Sequence, residues 1–167
     1  MRRVSRTLVV LAVIVIGIPA AADDAEELLE LFGDDALHVR IEARVVEDGD
    51  QTVWNMELTR VTISGRSVQV RLDGDNIVVR ARFTPYRVND SLLLVAQGQT
   101  WLKTEDSDEL RYETAFETVP VQLGEAVVFY PLGQENVQVG LETRQYGTIN
   151  LELEIMVIPY LQAKDLN

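Results

Sequence analysis

The side chains in this chain that could perform acid–base or metal chemistry are one histidine and a set of carboxylates. His38 lies among arginine and glutamate neighbours in "LHVRIEARV" (37–45), and no serine stands in a nucleophile motif such as G-x-S-x-G. A Ser-His-Asp relay would therefore have a base but no recognisable nucleophile. With no cysteine and a single histidine, the usual ligands of zinc and other transition metals are also missing. We interpret His38 as an ordinary surface histidine and predict no catalytic residue, no cofactor and no enzyme activity.

Carboxylates are abundant, and they raise the questions of calcium binding and of hydrolysis. Calcium takes oxygen ligands, and three acidic loops offer them: "EDGD" (47–50), "DGDN" (73–76) and "TEDSDE" (104–109). None has the spacing of an EF-hand loop, and Asp-Gly is also typical of tight turns, so no metal is predicted and calcium stays open. The pairs Glu113/Glu117 and Glu152/Glu154 suit a carboxylate-dependent hydrolase. These glutamates are equally typical of the solvent-exposed face of a sheet, so a hydrolase is an alternative only.

The elements that position these side chains are predicted to be strands. In "LHVRIEARV" the odd positions are apolar and the even positions polar, and the same period of two continues down the chain between Gly, Pro and Asp-Gly turn signals. No helical stretch intervenes, so neighbouring strands should pair antiparallel. We predict one antiparallel β-sandwich over residues 37–167, Ig-like or jelly-roll-like, with about eight to ten short strands. A small closed β-barrel is the alternative.

Two stretches carry further expectations about which side chains are buried. "LLLVAQGQTWLK" (92–103) begins apolar on both faces, which predicts a central strand covered on both sides, with a possible bulge at Gly98. Pro85 is expected to end the strand before it. In "LRYETAFETV" (110–119) the alternation predicts one set of side chains inside and the other in water. The inner set is Leu110, Tyr112, Thr114 and Phe116, and the outer set is Arg111, Glu113 and Glu117. Mixed charges on the outer faces predict cross-strand ion pairs.

The N-terminus predicts export. Three arginines precede an apolar stretch that ends in "PAAA", which is the pattern of a secretory signal peptide cleaved after Ala22. The uncharged stretch 8–22 would form a helix of about 22 Å, short for a bilayer core of about 30 Å. An uncleaved membrane anchor is the alternative. Residues 23–36, which begin "DDAEELLELF", are predicted to form a short acidic helical leader.

Net charge narrows the classes of partner. The formal charge of the chain is −12, and it becomes −15 if the three arginines leave with the signal peptide. Such a surface repels phosphate backbones and anionic headgroups, so we predict no nucleic-acid partner and no membrane contact except through an uncleaved signal. The expected location is the periplasm or the cell surface.

These features favour a non-enzymatic protein of the bacterial cell envelope, acting as a protein–protein interaction or assembly module, with another envelope protein as partner. The least charged stretches supply the candidate contact residues Trp101, Phe129, Tyr130 and Leu132. A carrier is the main alternative, in which Trp54 and Trp101 line a cavity for a small apolar ligand. The sequence does not predict the oligomeric state.

Overall fold

The computed structural model shows two antiparallel sheets packed face to face around one core, with one short α-helix among the residues that it describes. This confirms the predicted all-β sandwich. No strand pairing joins the two sheets among the residues that the structure describes, so the closed barrel is wrong for them. Those residues are 12–13, 32–47, 51–75, 77–89, 91–103, 110–133, 137–139 and 147–164. None of the helices among them is long and apolar enough to cross a bilayer.

The strands are longer than the sequence predicted, since six of them have 12 or 13 residues. The elements are β1 (Ala12–Val13), a 3₁₀ turn (Gly33–Asp35), β2 (Ala36–Glu47), β3 (Gln51–Ile63), β4 (Val68–Asp73), β5 (Ile77–Val88), β6 (Ser91–Lys103), β7 (Leu110–Gln122), β8 (Ala126–Phe129), β9 (Val137–Val139), β10 (Gly147–Pro159) and α1 (Tyr160–Lys164).

We call the first sheet A, with strand order β1-β4-β5-β6-β7, and the second sheet B, with order β3-β2-β10-β8. The chain forms the hairpin of β2 and β3 in sheet B and crosses to sheet A for the meander of β4 to β7. It then returns to sheet B for its last three strands. β8 and β9 pair with β10 one after the other, so that β10 lies between β2 and this split edge. Of the signal stretch the structure describes only Ala12 and Val13, which form β1 and pair with the end of β4; residues 23–31 of the leader lie outside the described part.

The core lies between the two sheets and follows the predicted period of two. β2 contributes Leu37, Val39 and Ile41, all fully buried, and the polar residues between them point to the other side of sheet B. The inner faces of sheet A and of β10 supply most of the other large core residues, among them Val70, Leu72, Val79, Phe83, Leu92, Leu94, Leu153, Ile155 and Val157.

Pro85 does not end its strand, contrary to the prediction, because its backbone faces a turn rather than a neighbouring strand. β5 continues through Pro85 to Val88. The carbonyl of Pro85 accepts a hydrogen bond from the N–H of Gly65 at 2.7 Å, at a point beyond the start of β4. In a strand, the N and C=O of one residue point the same way, so the donor that proline lacks is not needed by β6. Gly65 itself has φ 81°, which suits glycine.

Gly98 is not at a bulge; it lies in regular register, opposite Ala81 on one side and Ala115 on the other. A glycine is needed there because segment 129–132, which begins with the last residue of β8, lies between the sheets. A Cβ at Gly98 would lie 3.2 Å from ring atoms of Phe129 and 3.2 Å from the Cα of Pro131. The neighbouring Thr100 is fully buried, and its hydroxyl donates to the carbonyl of Pro131 at 3.2 Å. Segment 129–132 therefore holds the sheets together at this point.

The outer face of sheet B carries the ion pairs that alternating charge predicted. Arg40 of β2 pairs with Glu57 of β3 at 2.9 Å. Arg44 lies 3.4 Å from Glu152 and 3.1 Å from Glu154 of β10. These side chains are partly exposed, and such pairs typically contribute about 0–1 kcal/mol each. Sheet B therefore presents a polar, charged outer face to water.

Candidate interaction surface

Strand β7 faces the opposite way from the sequence prediction. Its even-numbered residues are exposed, including Leu110, Tyr112 and Phe116, whereas Glu113 and Glu117 are half-buried on the inner side. The predicted inner set is therefore outside, and Glu113 and Glu117 of the predicted outer set lie on the inner side, whereas Arg111 at the start of the strand is exposed. Side chains alternate between the two faces of a strand. If the inner face is assigned to the wrong alternate residues, every side chain of the strand is therefore placed on the wrong face.

The reason lies further along the same strand. β7 contains two apolar sets of opposite parity, and a strand packed on one side can bury only one of them. Val121 is buried, and Ala115 and Val119 pack against the core. These odd-numbered residues lie opposite the inner residues of β6, so Tyr112 and Phe116 must point outward. The glutamates of β7 remain half-buried because β7 is the last strand of sheet A.

The outer side of β5, β6 and β7 forms a continuous surface that we call the aromatic face. The register places Trp101 opposite Tyr112, Leu93 opposite Tyr86 and Gln97 opposite Phe116. The exposed fractions are 65% for Phe116, 50% for Tyr112, 44% for Tyr86 and 38% for Leu93. β6 is an interior strand, as predicted, but among the described residues only its inner face is covered, which corrects the expectation that both faces are. The aromatic face is defined as Arg80, Arg82, Tyr86, Leu93, Trp101, Tyr112 and Phe116.

Contacts among Arg80, Trp101 and Tyr112 hold this part of the aromatic face in place. The rings of Trp101 and Tyr112 have centroids 5.3 Å apart at 43°, and the guanidinium of Arg80 lies 5.2 Å from the centre of the Trp101 ring. A cation over an exposed aromatic ring contributes about 0.5–1 kcal/mol, and an aromatic pair a similar amount. The three side chains are therefore ordered before any partner arrives, which lowers the entropy lost on binding.

The structure separates the four contact residues that the sequence proposed. Trp101 is half-buried on the aromatic face. Phe129 and Leu132 are only 1% and 7% exposed and belong to the core, so a partner of the folded domain has no access to their side chains; Tyr130 between them is half-buried. The two tryptophans of the carrier alternative are also apart, because Trp54 packs against the core from sheet B and Trp101 faces outward from sheet A.

His38 lies on the outer side of sheet B, half-buried between Val61 of β3 and Ile158 of β10. Its Nδ1 atom is buried without a hydrogen-bond partner among the described residues. Removal of the imidazole from water lowers the pKa of His38 below its ordinary value of 6.5.

The lowered pKa of His38 predicts a loss of stability on acidification. The unfolded chain takes up the proton at a higher pH than the folded chain, so the free energy of unfolding falls as pH drops below 6.5 towards the folded-state pKa. His38→Gln removes the imidazole and should make the dependence on pH shallower. Urea unfolding of both proteins between about pH 5 and pH 7.5 measures this, and no other histidine contributes. A difference in the free energy of unfolding between the two proteins that stays constant over this pH interval would contradict the prediction.

Several of the carboxylates considered for hydrolysis or metal binding contact arginines. Glu152 and Glu154 contact Arg44, and Glu113 pairs with Arg111 on its own strand. In the loop 73–76, Asp73 accepts hydrogen bonds from Arg71 at 2.8 and 3.0 Å. Within the described ranges, no three His, Asp or Glu side chains are grouped to hold a metal ion. Loop residues 48–50 and 104–109 lie outside those ranges.

The fold and this surface define a class of protein: an all-β sandwich of two antiparallel sheets, with one charged outer face and one aromatic outer face. Comparison of the chain with models of known protein families and with curated proteins finds no match.

Sequence reasoning missed Tyr86, Leu93, Tyr112 and Phe116 as surface residues. One signal could have found the last two. Val119 and Val121 have the parity opposite to Tyr112 and Phe116, so both sets cannot be buried in one strand. The exposure of Leu93 and Tyr86 has no comparable signal, since it depends on the outer side of sheet A being uncovered.

Proposed function

We propose that this chain is an exported, non-enzymatic protein of the bacterial cell envelope that binds another envelope protein through its aromatic face. The observation that supports this is the contrast between the two outer faces of one molecule. Sheet B carries ion pairs on its outer side, where Val53 and Val61 of β3 are also exposed. Sheet A exposes the larger rings of Tyr112 and Phe116 on β7 and of Tyr86 on β5, spread along its outer side. Exposed contiguous apolar patches rimmed by polar residues mark interaction sites, and Tyr, Trp and Arg dominate binding energies there.

The signal-like residues 1–22 and the acidic composition supply the rest of the proposal. Export accounts for the apolar stretch next to the charged leader, and the acidic surface disfavours nucleic acid and anionic membranes as partners. The aromatic face carries two positive charges, Arg80 and Arg82, so the contact region of the partner should offer carboxylate or polar groups as well as apolar side chains.

The test uses a photo-crosslinking residue placed on each outer face in turn. With the crosslinker at Gln97 on the aromatic face, we expect one protein of the envelope fraction to be captured; with it at Thr59 on the outer face of sheet B, we expect none. Trp101→Ala combined with Tyr86→Ala should reduce capture from Gln97 by about tenfold or more, as loss of two aromatic anchors typically does. Val53→Ala with Val61→Ala, two exposed residues of β3, is the matched control and should leave capture unchanged. Equal capture from both faces would contradict the proposal.

A further inference from the structure

The free edge of β7 provides a second surface, which is made of backbone groups and borders the aromatic face at Tyr112 and Phe116. β7 has 13 residues, pairs with β6 along its whole length without a bulge, and is the last strand of sheet A among the described strands. Its other edge is therefore a long, regular row of backbone donors and acceptors, which is a template for another strand.

The structure indicates which residues of β7 present their backbone groups at this edge. The N–H of Gln122 donates to a carboxylate oxygen of Glu125 at 2.9 Å, and its carbonyl accepts from the N–H of Glu125 at 3.1 Å, so Gln122 faces away from β6. Orientation alternates along a strand, so the other even-numbered residues of β7 face the edge too. Pro120 has the same parity, where its missing N–H leaves the β6 ladder complete. The edge-facing residues before it are Leu110, Tyr112, Thr114, Phe116 and Thr118.

We propose that a second copy of this chain pairs with this edge, antiparallel and with the two-fold axis at Thr114. In that register Tyr112 lies opposite the partner's Phe116 on the outer side. Arg111 lies opposite the partner's Glu117 on the inner side. The symmetric contacts repeat both pairs, and about ten backbone hydrogen bonds form between the edge-facing residues. The sequence of β7 is thus complementary to itself in charge and in side-chain type.

The neighbouring pairing registers of the two β7 strands should be less stable, because of the side chains that each would bring opposite one another. With the axis at residue 113, Glu113 would face the partner's Glu113, and at residue 115 it would face the partner's Glu117. Like charges directly opposite each other on a sheet are destabilising. With the axis at residue 116, Pro120 would face the partner's Tyr112 and a hydrogen bond would be lost. With the axis at residue 112, only the start of the strand could pair. The inward glutamates therefore exclude the registers centred on 113 and 115, and Pro120 and the short overlap disfavour those centred on 116 and 112, which leaves the register centred on Thr114.

This inference does not depend on the proposed function, because it concerns the edge of β7 and a copy of the same chain. A single strand pair buries less than a standard interface, so a dimer with Kd of about 1–100 µM is expected. Analytical ultracentrifugation of the full chain as the cell produces it, over this range of concentration and at about 0.15 M salt, measures the equilibrium. A chain that stays monomeric throughout would overturn the proposal.

Thr114→Pro tests the edge itself. Proline removes only the donor that faces the edge, as Pro120 already does, so the urea midpoint should stay unchanged while the dimer is lost. A dimer that survives this change in the folded protein would overturn the assignment to β7. The aromatic-face variant Trp101→Ala with Tyr86→Ala should still dimerise, and crosslinking from Gln97 to another protein should persist in Thr114→Pro. Failure of one proposal is therefore distinguishable from failure of the other.

Charge exchange tests the register, and does so even if Thr114→Pro fails to fold. Glu117→Arg sets two like-charged pairs across the interface and should raise Kd by about tenfold. Arg111→Glu added to it restores opposite charges and should return Kd to within about threefold of the original value. Glu57→Arg, the same charge change on edge strand β3 of sheet B, is the control and should leave Kd unchanged. No rescue by the double variant would overturn the register centred on Thr114.

Discussion

Phe129→Ala is expected to lower the free energy of unfolding by about 3–5 kcal/mol. The side chain of Phe129 is 1% exposed and meets the ring of Phe83 edge to face, with centroids 5.8 Å apart. Truncation removes this contact and leaves a cavity between the sheets where segment 129–132 holds them together. Because domains of this size are stable by only about 5–15 kcal/mol, the change should be evident as a large drop in the midpoint of urea unfolding.

The control for Phe129→Ala is the same substitution at Phe116. This residue has the same chemistry but is 65% exposed, so its loss should change the free energy of unfolding by no more than about 0.5 kcal/mol. The two variants remove the same type of side chain, so a difference in their free energies of unfolding reports only whether the residue lies in the core or on the surface. Similar losses at both positions would contradict the placement of Phe129 inside and Phe116 outside.

Gly98→Ala is expected to destabilise the domain by about 1–3 kcal/mol. The added methyl group would lie 3.2 Å from two ring atoms of Phe129 and from the backbone of Pro131, and the backbone cannot move aside as a flexible side chain can. Glycine is otherwise less stable than alanine inside a strand by roughly 0.5–1 kcal/mol, so without this close approach the change would stabilise. The sign of the change in the free energy of unfolding, measured with urea, therefore shows whether Phe129 and Pro131 approach Gly98 this closely.

A double variant identifies the contact responsible at Gly98. Phe129→Leu shortens the side chain that the new methyl group meets. Gly98→Ala combined with Phe129→Leu should therefore lose less stability than the two single changes added together. Gln97→Ala, on the same strand but facing outward, should have little effect. Strict additivity would indicate that Phe129 is not the residue in the way.

The sequence predicted the fold class and most of the inner faces because alternation is a local property. In β2, every second residue from Leu37 to Ala43 is fully buried, as the period of two required. Strand ends were less predictable. Pro85 was expected to end β5, since proline interrupts a ladder, but this holds only where a neighbouring strand needs its N–H. Whether one does depends on where β4 begins, which is a property of the sheet and not of the local sequence.

The surface was predicted less well, for a similar reason. Phe129 and Leu132 were proposed as contact residues because aromatic and apolar side chains near a proline are common at interfaces. In the structure, segment 129–132 turns inward against Gly98, a residue about thirty positions earlier in the chain. Tyr112 and Phe116 were expected inside because they alternate with glutamates, and the valines that fix the phase of β7 come later. In both cases the local sequence was compatible with two orientations of the side chains. Contacts with residues elsewhere in the chain determined which of them is buried.

The pairing of β2 with β10 determines when the domain can finish folding. Arg44 and Glu154, which contact each other across these strands, are 110 residues apart in the chain. Among the described strands, β2 is one of the first to leave the ribosome and β10 is the last, so sheet B is completed only once β10 has been made, and contacts of such long range form slowly. If the chain is exported, as we propose, a polypeptide that stays open until β10 arrives would still be able to pass through a narrow secretion channel. The pairing that completes sheet B would then leave the nascent protein time for transport.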